Sequence, residues 1–372
     1  MARSLDQIVG ISFSGTAATE EIVGTSNNDL LTAGSGNDTI YGGLGADTIT
    51  AMPLAGESVQ IYGGRSSGDV EDGADQITFT GEGSGQIFSN AGDDVILYRA
   101  LGNGTIFGGL GNDEITILNK ANNLVVAGPG NDAITIDSLA NNTVFGGAGI
   151  SDPSDGADRI IIRGNGQNLV YSNSGNDDIF IGGSGHNTVY AGLGDDVVRI
   201  QGGGSNVIFG GSGIDRITVE GSGNNTIYGG NSVNDGQDAA DIITIVGDGH
   251  NVVYANGGDD LVRIQGSVSA TIYGGAGSDT ILGGDGLDVI VGGPGLNFLT
   301  GGAGADTFVH VSGARDVVED FDFYRGDRID TNGQATTLAW ASDGTLFVNF
   351  ADQSFVAIHN ARPELSTQDF LI

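Results

Sequence analysis

Aspartate recurs at a fixed spacing through most of this chain. Asp158, Asp177, Asp196 and Asp215 follow one another at every nineteenth position, and each closes a glycine-rich turn. A short apolar run such as 179–181 follows each turn. Internal repeats with a period of about 20 residues indicate a solenoid, in which each repeat forms one coil and stacked coils share a core. The sequence therefore predicts an all-β solenoid.

The column of turn aspartates extends well beyond this regular stretch. Near both ends the step shortens to nine residues, and Asn297 stands where a further aspartate is expected. The candidate aspartates are Asp29, Asp38, Asp47, Asp75, Asp94, Asp113, Asp132, Asp158, Asp177, Asp196, Asp215, Asp241, Asp260, Asp279, Asp288 and Asp306. Like charges stacked about 5 Å apart repel one another, so we expect cations to neutralise this column.

Three turns carry seven extra residues before their aspartate. They span 63–75, 146–158 and 229–241, and the interval from one to the next is the same in both cases. Four coils therefore form a higher repeat, which suggests duplication of a four-coil block. The insertions are either tolerated surface loops or a grip for a partner, and the first reading is the simpler one.

Each coil is expected to contain two short strands and two turns. Alternation after the aspartate places Ile115 and Ile117 inward and Glu114 outward. The second strand carries an inward residue such as Ile227, with asparagine or threonine expected outward before it. Most inward residues are β-branched, and such side chains suit a sheet core.

The net charge limits the partners and the ions. The chain has 47 acidic and 13 basic residues, a formal charge of −34, and no cysteine. The negative net charge excludes nucleic acid as a ligand, because phosphate binding requires basic groups. Many hard oxygen donors suit Ca²⁺ better than Mg²⁺, and four scattered histidines without cysteine argue against zinc. We therefore expect several bound calcium ions.

The residue pattern divides the chain into three parts. Residues 1–23 are expected to be an N-terminal lead-in, in which 8–11 could form a capping strand. Residues 24–306 are the expected solenoid, and 307–372 an aromatic-rich β cap with turns at 342–344 and 351–353. A cap of this kind closes the open end of a solenoid.

The sequence shows neither a membrane-spanning run nor an ordinary signal peptide. Residues 1–21 contain a few scattered apolar residues rather than a continuous apolar core. If the protein is exported, we therefore expect a route other than the usual N-terminal one.

Two segments carry a specific family resemblance. Residues 42–49 (Gly-Gly-Leu-Gly-Ala-Asp-Thr-Ile) and 274–281 (Gly-Gly-Ala-Gly-Ser-Asp-Thr-Ile) resemble the RTX, or hemolysin-type, calcium-binding nonapeptide repeat. The resemblance covers roughly residues 24–309 and implies a parallel β-roll with Ca²⁺ between successive turns. It further implies that the turn aspartates are side-chain ligands. The glycines it marks as sources of ligand carbonyls include Gly42, Gly43, Gly45, Gly108, Gly109, Gly111, Gly274, Gly275 and Gly277.

The C-terminal part is similar to the same family. Residues 316–330 resemble its I-x-D-F … G-D-x-I-D segment, and 368–372 resemble its C-terminal secretion signal. The resemblance implies export by the type I secretion machinery and an extracellular location.

One side of the coil departs from the nonapeptide. The second turn of each long coil carries asparagine instead of aspartate, and we expect an asparagine ladder between coils there rather than calcium. These residues are Asn168, Asn187, Asn206, Asn225 and Asn251. The long form of the coil also looks like the ice-binding solenoids of some bacterial adhesins. However, the threonine row of those turns is missing here, which argues against ice binding.

A column of aromatic residues precedes the glycine-rich turns. Its rings could stack on sugars or dock a partner, but we favour stacking of the rings on one another. The column consists of Phe88, Phe107, Phe145, Tyr171, Tyr190, Phe209, Tyr228, Tyr254 and Tyr273.

No catalytic motif stands out in the sequence, so enzyme activity is left open with its absence favoured. The sequence predicts a secreted, calcium-binding repeat protein with calcium-coupled folding and an extracellular structural or adhesive role. The alternatives are a protein that binds or modifies cell-surface or extracellular polysaccharide and, less favoured, an ice-binding solenoid.

Overall fold

Short strands separated by glycine-rich turns make up all the regular elements of the described residues. The structure is a computed structural model that describes residues 10–233, 235–236, 238–266, 268–362 and 369–372. The chain divides into two compact units, residues 1–191 and 192–372. No helix within the described ranges is long and apolar enough to cross a membrane.

The strands of the first unit alternate between two parallel ladders, odd-numbered strands in one and even-numbered strands in the other. They are β1 (Ser12–Ser14), β2 (Glu21–Val23), β3 (Leu30–Thr32), β4 (Thr39–Tyr41), β5 (Thr48–Ala51), β6 (Ser58–Tyr62), β7 (Gln76–Phe79), β8 (Ser84–Phe88), β9 (Val95–Tyr98), β10 (Gly104–Phe107), β11 (Glu114–Asn119), β12 (Asn123–Val126), β13 (Ala133–Ser138), β14 (Asn142–Phe145), β15 (Arg159–Arg163), β16 (Asn168–Tyr171), β17 (Asp178–Gly182) and β18 (Thr188–Leu193), which ends just past the boundary.

The second unit repeats this arrangement and ends in an antiparallel group. Its strands are β19 (Val197–Gln201), β20 (Val207–Ser212), β21 (Arg216–Glu220), β22 (Thr226–Tyr228), β23 (Ile242–Val246), β24 (Val252–Tyr254), β25 (Leu261–Gln265), β26 (Thr271–Tyr273), β27 (Thr280–Gly284), β28 (Val289–Val291), β29 (Gly295–Gly302), β30 (Thr307–Val309), β31 (Ala314–Val318), β32 (Arg328–Asp330), β33 (Thr336–Trp340), β34 (Leu346–Phe350) and β35 (Phe355–Ile358).

The register between coils follows the sequence repeat. Glu114 pairs with Val95 on one side and with Ala133 on the other, so one step of the repeat advances the chain by one coil. Equivalent residues therefore stack directly above each other. The predicted all-β parallel solenoid is confirmed, because each ladder pairs a strand with the strand two places along the chain.

The core consists of the inward residues of both ladders. Ile115 and Ile117 of β11 and Val125 of β12 are fully buried, and Glu114 is exposed, as the alternation predicted. The expectation that asparagine points outward before the second strand is wrong. Asn225 and Asn251 are 1% and 2% exposed. Asn225 lies two residues before Ile227, and residues two apart on an extended chain share a face.

The C-terminal segment covers the last rungs of the second unit. β33, β34 and β35 form antiparallel pairs, joined by turns at the expected positions 342–344 and 351–353. β35 pairs in parallel with β31, and residues 370–372 bond to β32 through Ile329. Both exposed strand edges at this end are thus covered, which removes a template for edge pairing. Of the predicted secretion segment 368–372, residue 368 lies outside the described residues.

The first described strands already follow the coil pattern. β1 pairs with β3 and β2 with β4, both in parallel. Residues 8 and 9 of the expected capping strand lie outside the described ranges. The division into lead-in, solenoid and cap stays a prediction.

Candidate cation sites in the turns

The candidate aspartates are buried and bonded to one another through the backbone. The N–H of Asp94 donates to Oδ1 of Asp113, and the N–H of Asp113 donates to Oδ1 of Asp132, at 2.9 and 2.7 Å. All sixteen candidates are at most 3% exposed. The carboxylates face the coil interior, where an oxygen can accept the N–H that the neighbouring corner would otherwise leave unpaired.

The sixteen aspartates form two rows rather than one. A nine-residue step is half a coil, so consecutive aspartates with that spacing lie in opposite turns. Asp29 and Asp47 stand in one row, and Asp38 falls in the other, where Oδ1 accepts the N–H of Glu20 at 2.9 Å. Asp288 and Asp306 also belong to this second row. We call the row that contains Asp29 and Asp47 the aspartate row. We call the row that contains Asp38 the asparagine row, because asparagines occupy its middle.

The second carboxylate oxygen of most row members has no hydrogen-bond partner. In the aspartate row this holds for Oδ2 of Asp47, Asp75, Asp94, Asp113, Asp132, Asp158, Asp215, Asp241, Asp260 and Asp279; in the other row it holds for Asp38, Asp288 and Asp306. Burying a charged oxygen without a partner is costly unless a proton or a cation compensates it. The orphaned oxygens therefore define where a ligand is needed.

Burial raises the pKa of these carboxyl groups. The largest cause is desolvation, which raises the pKa of Asp94, Asp158 and Asp260 to about 9 and is only partly offset by the N–H bond from the preceding row member. Neighbouring aspartates raise the pKa further in each case. Without cations, these three carboxyl groups thus favour the protonated form near neutral pH.

The turn glycines make room for this arrangement. A Cβ built on Gly108 would lie 2.3 Å from Oδ2 of Asp113, and Gly109 adopts a φ of 106°. The first glycine of each pair therefore leaves space beside the orphaned oxygen, and the second takes a left-handed conformation that disfavours other residues. The same two features hold for Gly42 and Gly43 and for Gly274 and Gly275, and the third glycines Gly45, Gly111 and Gly277 also have positive φ. Their carbonyls as ligands stay a prediction.

The donor set fits a hard cation. Each turn brings together carboxylate oxygens from successive coils, next to glycine backbone that a side chain cannot crowd. Ca²⁺ accepts six to eight oxygen ligands, carboxylate and carbonyl alike, in flexible geometry. The residues present therefore fit calcium, with the orphaned Oδ2 atoms as side-chain ligands.

The middle of the other row is the predicted asparagine ladder, which the structure confirms. Nδ2 of Asn142 donates to Oδ1 of Asn168 at 2.9 Å, and Nδ2 of Asn168 donates to Oδ1 of Asn187 at 2.9 Å. The same bond joins Asn206 to Asn225 and Asn225 to Asn251. An amide supplies both donor and acceptor, so this middle stretch of the row is neutral and needs no cation.

Sequence reasoning missed residues that the structure adds to both rows. Oδ1 of Asn297 takes the place of an aspartate by accepting the N–H of Asp279 at 3.0 Å, and Asp316 accepts Nδ2 of Asn297 at 2.8 Å. Asp327 accepts the N–H of Asp306 at 3.0 Å. The signal for Asp316 was its distance of one full repeat from Asn297, but the surrounding sequence no longer looks like a repeat.

The aromatic columns stack on themselves, as expected. Ring centroids of neighbours lie 4.5 to 5.2 Å apart, with planes within 8° of parallel. In the first unit, Val126 interrupts the column between Phe107 and Phe145. The ring faces therefore contact neighbouring rings, and the ring edges face outward.

Comparison with known proteins supports the repeat assignment. The family model of the RTX calcium-binding nonapeptide repeat (four copies) matches residues 14–49, 100–116, 172–199, 200–220, 221–234, 245–263 and 282–314. No curated protein has a matching sequence.

Among solved structures, the chain is similar to one described as "X-ray crystal structure of a hyperactive, Ca2+-dependent, beta-helical antifreeze protein from an Antarctic bacterium". The identity is 19%, the TM-score is 0.32, and the alignment covers 84% of this chain and 88% of that one. We carry nothing of that protein's activity over to this chain. With matches in both units and parallel coils built from the matched segments, the chain contains repeats of the RTX calcium-binding nonapeptide type.

Proposed function

We propose that the chain binds several calcium ions in the turns of the aspartate row, and that binding completes its folding. The observation that carries the proposal is the set of buried, unpartnered Oδ2 atoms in this row, which belong to Asp47, Asp75, Asp94, Asp113, Asp132, Asp158, Asp215, Asp241, Asp260 and Asp279. Each ion would bridge carboxylates of successive coils and replace the missing hydrogen-bond partner. The candidate side-chain ligands in this row are the sixteen candidate aspartates other than Asp38, Asp288 and Asp306, which would bind ions near the ends of the asparagine row. Glycine carbonyls would complete each shell.

Charge provides the physical coupling between binding and folding. The formal charge is −34, and the row stacks carboxylates whose neighbours are again carboxylates. In the unfolded chain these groups are solvated and separated, whereas stacking brings them together without water. A cation that binds only the stacked form stabilises it by mass action.

A calcium titration followed by far-UV circular dichroism tests the coupling. In chelator at neutral pH we expect little β-structure, and added Ca²⁺ should produce a cooperative rise in β-signal. Mg²⁺ at the same concentration serves as the control ion. We expect it to produce less β-signal, because its smaller octahedral shell fits these turns poorly. A full β-signal in chelator, unchanged by calcium, overturns the proposal.

We further propose an extracellular role, structural or adhesive, after export by type I secretion machinery. Free calcium is abundant outside cells and scarce in the cytoplasm, so calcium-coupled folding would keep the chain unfolded until it is outside. The covered edge strands at β31 and β32 support a stable, non-aggregating end of the repeat array. Immunodetection in the culture medium of the source organism, with a cytoplasmic protein as lysis control, tests the location.

One observation favours a second candidate, binding of an extracellular polysaccharide. The first insertion overhangs the aromatic column and forms a groove of about 440 Å³ lined by Val70, Phe88, Phe107 and Pro129. Within the stacked runs of the column the ring faces cover one another, which leaves ring edges that are unsuited to stacking on sugars. A glycan array with native protein and with Val70→Asp tests the groove. Binding lost in the variant supports this candidate, and no binding by the native protein excludes it for the glycans on the array.

A further inference from the structure

The three insertions share an aspartate triplet with a fixed spacing. Each insertion ends in Asp-x-x-Asp-x-x-Asp, and the last member belongs to the aspartate row. The triplets are Asp69, Asp72 and Asp75; Asp152, Asp155 and Asp158; and Asp235, Asp238 and Asp241. The two residues between the first and the middle aspartate differ in every copy, whereas the spacing of the three aspartates is constant.

The first aspartate of each triplet closes the loop. Oδ2 of Asp69 accepts the N–H of Arg65 at 3.3 Å, and Oδ2 of Asp152 accepts the N–H of Ala148 at 3.1 Å. In the third copy, Oδ2 of Asp235 accepts the N–H of Asn231 at 3.2 Å. The same bond over four residues in each copy is a turn-forming role that needs no ligand.

The middle aspartate is different, because one of its oxygens is buried without a partner. Oδ1 of Asp72, Asp155 and Asp238 accepts the N–H of the following residue, at 2.9 Å in every copy. Oδ2 of all three has no hydrogen-bond partner. This orphaned oxygen adds to the one that the aspartate row already places in the same turn.

The middle aspartate lies close to two members of the row. In the second copy, carboxylate oxygens of Asp132, Asp155 and Asp158 lie within 4.8 Å of one another. The equivalent group in the first copy, Asp47 with Asp72 and Asp75, shows the same mutual repulsion, which raises the pKa of Asp75 beyond the effect of burial. Asp238 acts in the same way on Asp241 in the third copy.

A buried asparagine faces each cluster from the next coil. Asn90, Asn173 and Asn256 are 7%, 8% and 6% exposed, and neither polar atom of their amides has a hydrogen-bond partner. Asn90 lies against Asp72 and lowers its pKa, without reaching hydrogen-bond geometry. A methyl group built on Gly64 would lie 2.9 Å from both Nδ2 of Asn90 and Oδ2 of Asp72, so this amide points into the cluster.

The backbone at this asparagine departs from the regular coils. Its φ is 79° in Asn90, where regular coils have glycines such as Gly109 with a φ of 106°. A left-handed conformation is less favourable for a residue with a side chain than for glycine. The side chain must therefore contribute something that glycine cannot, and an amide oxygen is available once the amide flips to exchange its oxygen and nitrogen.

We propose that each insertion builds a divalent-cation site from its middle aspartate, two aspartates of the row and the asparagine of the next coil. In the second copy the ligands are Asp132, Asp155, Asp158 and Asn173. Three carboxylates and an amide oxygen form a hard, highly charged donor set of the kind that Ca²⁺ prefers. A regular turn lacks the inserted carboxylate and the amide, so these three sites bind more tightly. The proposal does not depend on cation binding in the regular turns.

Calcium binding to the full chain tests the proposal by isothermal titration against a competing chelator. The test variant is the triple substitution Asp72→Asn, Asp155→Asn and Asp238→Asn. The matched control is Glu82→Gln, Glu114→Gln and Asp137→Asn, which removes the same charge from exposed positions. We expect the native protein and the control to bind three ions at least tenfold more tightly than any others, and the test variant to lose this class.

A second triple variant distinguishes the loss of a cation ligand from misfolding of the chain. Asn90→Gly, Asn173→Gly and Asn256→Gly suit the left-handed backbone that regular coils already build with glycine, and remove only the amide. We expect the tight class to weaken at least fivefold while circular dichroism at saturating calcium stays native. A tight class that survives both triple variants, or that the exposed control also loses, overturns the proposal. If native protein binds only three ions, the regular-turn proposal fails and this one stands.

Discussion

The backbone N–H of Asp113 donates to Oδ1 of Asp132 at 2.7 Å, while Oδ2 of Asp132 is buried and has no partner. The two oxygens of one carboxylate thus have separate roles. Oδ1 must be an oxygen, because a buried N–H depends on it, but it need not be charged. Oδ2 requires a proton or a cation. Substitutions that keep one role and remove the other can separate the two.

The first prediction concerns Asp113, whose two possible replacements should act in opposite directions. Asp113→Asn keeps an oxygen for the N–H of Asp94 and removes a buried charge, as Asn297 does naturally for Asp279. We expect higher stability in chelator and a smaller stabilisation by calcium. Asp113→Ala leaves the N–H of Asp94 unpaired, and we expect a loss of about 1–3 kcal/mol with or without calcium. Thermal melts at saturating calcium and the far-UV β-signal in chelator measure these effects.

The control for this pair is Asp137→Asn on the exposed face of β13. It removes one charge without touching either row, and we expect a change within about 0.5 kcal/mol. If Asp113→Asn and Asp113→Ala prove equally destabilising in chelator, the separation of the two oxygens is wrong.

The second prediction is that acid stabilises the calcium-free fold. The folded pKa of Asp94 and Asp158 is raised to about 9 and that of Asp132 to about 8, from an ordinary 3.8. The folded state therefore binds more protons than the unfolded state between pH 4 and 9. Stability from these groups is fully present below about pH 4 and is lost as the pH rises through the folded pKa values.

Circular dichroism in chelator across this range measures the effect. We expect more β-structure and a higher melting temperature at pH 5 than at pH 9. Saturating calcium should flatten or reverse the trend, because cations and protons compete for the same oxygens. Greater stability at pH 9 than at pH 5 in chelator would contradict the burial of the rows.

Much of this architecture could be predicted because the repeat period and the strand alternation act together. A constant step with glycine, aspartate and alternating isoleucine leaves few options besides parallel coils, and β11 follows the predicted burial residue by residue. The asparagine ladder also followed from the period. Its inward direction was not predicted, although Asn225 lies two residues before the inward Ile227 and shares its face.

The finer chemistry of the turns was less predictable. Sequence spacing does not show whether a carboxylate faces water or the coil interior, since that depends on which backbone N–H the neighbouring coil leaves unpaired. It also does not join Asp155 to Asn173, which are brought together only by stacking of one coil on the next. Aspartates spaced nine residues apart fall into two rows, and this could not be predicted without knowing that nine residues form half a coil.

The third prediction tests the neutrality of the asparagine row with Asn168→Asp. Nδ2 of Asn168 donates to Oδ1 of Asn187 and to the carbonyl of Gly166, at 2.9 and 3.0 Å. A carboxylate would face both acceptors in a buried site, so we expect a loss of about 2–4 kcal/mol that calcium does not restore. The exposed Asn103→Asp is the matched control and should be nearly neutral. Rescue of Asn168→Asp by calcium would instead indicate a latent cation site in this row.

The last prediction concerns Tyr98, whose side chain replaces the ladder where the asparagine row contains glycine. Its ring is fully buried and stacks on Phe79 at 4.8 Å, next to Gly85 and Gly104, which are too small to fill the corner. The hydroxyl accepts the N–H of Gly85 at 3.0 Å and donates to the carbonyl of Asn103 at 2.7 Å. Tyr98→Phe keeps the ring and removes both of these bonds, while the N–H of Gly85 still donates to the carbonyl of Asn103 at 3.2 Å. We therefore expect a loss of about 0.5–1.5 kcal/mol, the net contribution of a hydrogen bond, rather than the cost of an unpaired group.

Tyr171→Phe is the matched control for Tyr98→Phe, because Tyr171 lies in the half-buried outer column and its ring stacks on Phe145 at 5.2 Å. We expect this variant to change stability by less than about 0.5 kcal/mol. Urea denaturation at saturating calcium compares the two, so that cation binding is the same in both. Equal stability of the two variants would show that the hydroxyl of Tyr98 fills space without bonding the corner, since only its hydrogen bonds distinguish it from phenylalanine.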